Sequence, residues 1–216
     1  LAVLGRDMIP MMEKEYGIPT SKMLYIPHWS PADVSKQLQF SESKFTKKWK
    51  LSEKFVVQYS GNMGLWHDME TFVHAAKLLE NSPQIQFVFI GSGIRKKSAL
   101  SLANKLMLDN IQWHDFISLE NLHESLAACH ISLISQQAGL EGIAVPCKLY
   151  GILASGRAII AQVPENTEVA LTVLEHQCGF ISKPGNTEDF AQQVRQLAND
   201  PELVEKMGQR SFLDYR

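Results

Sequence analysis

Phe55-Val-Val-Gln-Tyr-Ser-Gly-Asn-Met-Gly64 decides the fold. A short, mostly apolar run meets a glycine turn. Asp68 to Asn81 then carries Met69, Phe72, Val73, Ala76 and Leu79 at helical spacing. The same unit recurs downstream. Ile85–Ile90 reads as a strand ending at Gly91-Ser-Gly93, with a helix from Arg95 to about Met107. Further strands are expected at Ile111–Trp113, Ile131–Ile134, Ala158–Ala161 and Gly179–Ile181. Helices are expected between them, at Leu119–Ala128, Lys148–Ala154, Asn166–Glu175 and Asn186–Asn199. Pro201 opens a last helix in the favoured first-turn position. Six strands alternate with helical crossovers long enough for parallel pairing. Their runs are apolar on both faces, as buried parallel strands tend to be. The expectation is an α/β fold, a doubly wound parallel sheet with helices on both sides.

Upstream the pattern is weaker. Met8–Tyr16 reads as a helix stopped by Gly17 and Pro19, and Leu24–Pro27 as a short strand. From His28 to Lys50 the chain is mostly polar, with a turn signal at Ser30-Pro31 and clustered basic residues from Lys44 to Lys50. Residues 1–50 are therefore expected to be a linker and capping segment, and residues 51–216 the folded domain.

The 216 residues are 45% hydrophobic and 20% charged, with a formal net charge of −2. That balance excludes a general affinity for nucleic acid or for anionic membrane. Cys129, Cys147 and Cys178 are widely spaced and form no CxxC, which suggests reduced thiols in the cytoplasm. No apolar run reaches the roughly 18 residues that span a bilayer. The chain lacks an initiator Met and a signal-peptide layout, and it stops within a helical pattern. These features suggest an excised fragment. His28, His74, His114, His123, His130 and His176 show no mutual metal-ligand spacing.

Ligands of an open parallel sheet sit at the C-terminal ends of its strands. Three glycine-bearing turns fall there: Ser60–Gly64, Gly91–Gly93 and Gly139–Gly142. Glycine lets a ligand approach the backbone, and the following helix offers free N–H groups. A diphosphate suits such a rim. The turns match neither G-x-G-x-x-G nor the Walker A pattern, so neither NAD nor ATP hydrolysis is indicated. Arg95, Lys96 and Lys97 start a helix, where cations oppose the macrodipole. A bound anion would account for them, as would a solvated basic face. Lys148 also stands at a helix start, after Pro146, and the argument for an anion is stronger there.

Several of these stretches resemble the donor-binding, C-terminal domain of retaining GT-B glycosyltransferases of the large family four, also called group 1. They are Leu24–Trp29, Phe55–Phe72, Gln86–Gly93, Ile111–Leu126, Gly139–Ile160 and Lys183–Asn186. Gly139–Ile160 (GLEGIAVPCKLYGILASGRAII) is the most specific. The resemblance implies a Rossmann-like lobe that binds a UDP-sugar or GDP-sugar. A second lobe would hold a saccharide or lipid-linked acceptor, and the sugar would be transferred with retention. No metal or other cofactor is implied, and the parent would be cytoplasmic, peripheral at the inner membrane.

By the same resemblance, Gly61 and Gly64 leave room for phosphates, and Gly93 belongs to the phosphate-side turn. Asn62 and His67 stand where the family often has Arg and Lys, so Lys148 and Arg95 are expected to supply charge. Phe116 lies where the base is met and Glu141 in the loop that touches sugar hydroxyls. Gly142, Ile143, Ala144 and Val145 would present N–H groups to sugar and phosphate. Many members carry a second glutamate after seven intervening residues. Here that place falls on Gly151 or Leu149, depending on register. Branches with a loop like Pro146-Cys-Lys148 also lack it, and they tend to act on cell-surface polysaccharide precursors. Two alternatives remain open: a nucleotide-sugar 2-epimerase on the same fold, and a binding module without chemistry.

Overall fold

Six of the apolar runs form one parallel sheet in a computed structural model that describes residues 1–30 and 37–215. In chain order the elements are β1 (Ala2–Val3), α1 (Met8–Tyr16), β2 (Leu24–Tyr25), α2 (Lys44–Lys48), β3 (Phe55–Ser60) and α3 (Met69–Leu78). There follow β4 (Ile85–Ile90), α4 (Ile94–Lys105), β5 (Ile111–His114), α5 (Leu122–Ala127), β6 (Ile131–Ser135) and α6 (Lys148–Ser155). The last are β7 (Ala158–Gln162), α7 (Glu168–Glu175), β8 (Gly179–Ser182), α8 (Thr187–Ala198) and α9 (Pro201–Tyr215). The helix expected over Leu119–Ala128 begins as a 3-10 turn, Leu119–Asn121, before α5.

The sheet order is β5-β4-β3-β6-β7-β8. From β3 the chain winds outward through β4 and β5. It then returns, lays β6 against β3, and winds the other way through β7 and β8. The direction of winding reverses between β3 and β6. At such a switch point the crossovers diverge to opposite faces and leave a crevice at the carboxyl ends of the strands.

Alternating side chains fill the two faces. Val57 and Tyr59 of β3 and Phe87 and Phe89 of β4 pack with Phe72 of α3 and Phe190 of α8. Val56, Val88 and Ile90 point the other way, onto Phe45 and Trp49. Those two residues come from the polar stretch expected to be linker. Ser43 caps α2 by accepting from the Phe45 N–H, and Phe45 and Trp49, four residues apart, share one face. A helix was hidden there because three of its five positions are lysines. Pro31, from the turn signal at Ser30-Pro31, lies outside the described residues.

β1 and β2 form a separate parallel pair. Their segment is tied to α7 by the Arg6 guanidinium, which reaches Glu168 at 3.0 Å and Glu175 at 2.5 Å. Glu168 also accepts from the Tyr25 hydroxyl at 2.9 Å. Among the described residues no helix is long and apolar enough to cross a membrane.

Candidate active site at the switch point

β3 ends at Ser60, and Gly61 turns with φ 137°, a conformation that glycine tolerates. Gly61 N–H donates to Ile90 O and Met63 N–H to Ser92 O, so the turns after β3 and β4 are sewn together. Gly91 and Gly93 also have positive φ. A Cβ on Gly91 would collide with Gly61 O, and one on Gly93 with Met63 O. These glycines exist for chain-to-chain approach beneath the turn.

Across the switch point, β6 delivers Ser135 and Gln136. Ser135 Oγ accepts from the Asp68 N–H at 2.9 Å, which fixes the start of α3. Gln136 Nε2 donates to Leu140 O at 3.1 Å and to Ala144 O at 3.2 Å, pinning both ends of the following loop. The crevice is a cavity of about 350 Å³, open to solvent on one side. Its walls are Gly61, Asn62, Trp66 and His67 on the β3 side. Leu140, Ala144, Val145, Pro146 and Cys147 form the other side, and Lys148 stands between them.

Lys148 is the unusual group. Its Nζ is buried, has no hydrogen-bond partner among the described residues, and lies 3.7 Å from the centroid of the Tyr59 ring. A Cβ on Gly61 would stand 3.2 Å from that ammonium, so the glycine leaves its approach open. Burial lowers the Lys148 pKa to about 7. His67 Nδ1 accepts from the Gly64 N–H at 3.0 Å. Burial first, and the Lys148 charge second, push its pKa down to about 4. His67 is thus a neutral imidazole at pH 7, and Lys148 carries the titratable positive charge of the crevice.

Of the residues singled out from sequence, Gly61, Asn62, His67, Ala144, Val145 and Lys148 line this one cavity. Gly64 borders it through His67. Phe116 stands 58% exposed above the sewn turns, its ring 3.2 Å from where a Gly91 Cβ would be. Gly93 packs beneath them.

The others face elsewhere. Arg95 Nη2 donates to Leu65 O at 3.4 Å. Lys96 is a fastener: its Nζ donates to Gly91 O, to His114 O and to the Asp115 carboxylate. That replaces both expectations attached to it. Glu141 turns its carboxylate to the Gly139 N–H at 2.8 Å and is not among the lining residues. The Gly142 N–H is held by Asp7 Oδ2 at 3.0 Å and the Ile143 N–H by Leu140 O, so neither points into the cavity. Ser135 and Gln136 were missed, although their place at the carboxyl end of β6 marked them. Among the described residues no group of three or more His, Cys, Asp or Glu side chains is placed to hold a metal ion.

The chain is a doubly wound α/β domain with a crevice at its switch point that Gly61 and Lys148 help to line. The chain belongs to the family of glycosyl transferases group 1, whose sequence model matches residues 41–213. Among its relatives is a probable glycosyltransferase, WbjE, of Pseudomonas aeruginosa. It is 25% identical over 197 residues, covering 91% of this chain and 49% of the relative. WcaI of Escherichia coli (strain K12), named for colanic acid biosynthesis, is 28% identical over 170 residues, 74% of this chain and 40% of its own length. The chain thus spans no more than about half of these relatives. The fold matches that of HepE from Anabaena, solved with UDP, at a TM-score of 0.83 and 14% identity, over 99% of this chain and 58% of HepE.

Proposed function

We propose that this chain is the donor-binding part of a glycosyltransferase, and that the crevice between β3 and β6 holds a nucleoside diphosphate sugar. Transfer would go, with retention, to a saccharide or lipid-linked acceptor held largely by another part of the parent protein. The observation that carries this reading is the Lys148 ammonium. Among the described residues the buried ammonium has the Tyr59 ring beside it but no hydrogen bond, which is costly, and a diphosphate within its reach would offset that cost. The N-terminus of α6, which Lys148 opens, adds its partial positive charge. Both would stabilise the leaving diphosphate as charge develops on it, with no resident metal in the scheme.

The loop from Leu140 to Pro146 is assigned the sugar, and Phe116 the base. Glu141 would reach the sugar only after leaving the Gly139 N–H. Epimerisation is the weaker reading. It needs carboxylates poised for proton abstraction, and no lining residue of the cavity is Asp or Glu. The test is calorimetric titration with UDP and with GDP at pH 7. Saturable heat from one of them below millimolar concentration is expected. Absence of heat from both at several millimolar would remove the proposal.

A further inference from the structure

We propose that Asp7 is a positioning residue that fixes the 139–145 loop against the crevice, 135 positions away in sequence. An aspartate at the start of a helix normally caps that helix through its own side chain. Asp7 stands at the start of α1 yet makes no such bond. Its Oδ2 instead accepts the Gly142 N–H, and the residue is buried. The turn that carries Asp7 is itself held, because the Arg6 N–H and guanidinium both bind Glu168.

The fit is close on both sides. A Cβ on Gly142 would stand 2.7 Å from Asp7 O, and one on Gly5 would stand 2.6 Å from Val145 Cγ2. Gln136 secures the loop from the sheet and Asp7 secures it from the opposite flank. Asp7 thus holds Gly142 between the two points that Gln136 holds, Leu140 and Ala144, and Ala144 and Val145 of the same loop line the cavity. Asp7 therefore acts on the ligand through the loop and not by contact.

This inference rests on the donor reading for its consequence but not for its geometry, so two measurements separate them. The first is amide hydrogen exchange without ligand. In the wild-type chain the Gly142 N–H should be protected. In Asp7→Ala, exchange over residues 139–145 should rise at least tenfold while β3 and β6 are unchanged. Asp7→Asn, which keeps an acceptor oxygen, should restore protection. Rapid exchange of Gly142 in the wild type would overturn the proposal even if Asp7→Ala fails to fold. An equal rise over the whole sheet in Asp7→Ala, or no rise, would also overturn it.

The second is binding of UDP and of UDP-glucose as probes. Asp7→Ala should weaken UDP-glucose tenfold or more and UDP less than threefold, with Asp7→Asn near wild type. Equal weakening of both would reduce Asp7 to a fold residue and overturn the positioning role. No binding of either probe to the wild type would sink the donor reading and leave the exchange result standing.

Discussion

Lys148, expected from sequence to face an anion, lines the crevice with its ammonium buried. A cation at a helix start works against the macrodipole, and that flagged it together with the family resemblance. Burial supplies the rest, since it lowers the ammonium pKa to about 7. A bound diphosphate would need the ammonium form, and the fraction of that form falls as pH rises above 7. Diphosphate affinity measured by calorimetry between pH 7 and 9 should therefore decline, approaching tenfold per unit, and Lys148→Met should abolish both binding and slope. The ligand-free chain should show the opposite preference. Between about 7 and the ordinary value of 10.5, the unfolded chain holds the Lys148 proton and the folded chain does not, so stability rises with pH. At pH 7 Lys148→Met should stabilise the ligand-free chain by about 1–3 kcal/mol in denaturant titration. His67, singled out beside the glycine turn after β3, is a neutral acceptor for the Gly64 N–H. Its burial could not be read from its neighbours in sequence.

Among the elements, the strands of the main sheet were legible because their residues are apolar on both faces. The two-residue β1 and the lysine-rich α2 were not. Phe45 and Trp49 are only two apolar positions among charged ones, and their value lies in the sheet face they cover. Phe45→Ala should cost about 3–5 kcal/mol in thermal or denaturant unfolding. A loss below 1 kcal/mol would show that α2 is not part of the core. The glycine turns were legible as a set but not in their division of labour. Gly61 lines the cavity, while Gly91 and Gly93 pack against Gly61 O and Met63 O. Gly91→Ala should lower stability by 2 kcal/mol or more, because its Cβ has no room beside Gly61 O. Gly17→Ala, at φ 64° in open space, should cost about 1 kcal/mol. Comparing the melting curves of the two variants checks the distinction. Lys96 was misread because its acceptors, Gly91 O and His114 O, come together only when β4 and β5 pair.

For the whole molecule, the switch between β3 and β6 gathers residues from Gly61 to Lys148 that are far apart in the chain. Strand order is set by packing, so sequence could say that the glycine turns share an edge but not that two of them flank one crevice. The N-terminal segment is the clearest case of information absent from local pattern. Glu168 is 1% exposed and receives Arg6 and Tyr25 from more than 140 positions away. Glu168→Ala would remove the buried acceptor of that network and leave Arg6, about a third exposed, with Glu175 alone. It should destabilise by about 1–3 kcal/mol in chemical unfolding, with an effect near zero arguing that the segment is only loosely attached. The account as a whole depends on where a nucleoside diphosphate binds. Following backbone amide resonances while UDP is added answers that directly. The account predicts shifts concentrated at Gly61, Asn62, His67 and Lys148. Shifts gathered instead around the cavity of Arg6, Trp29 and Tyr150, or none at saturating UDP, would contradict it.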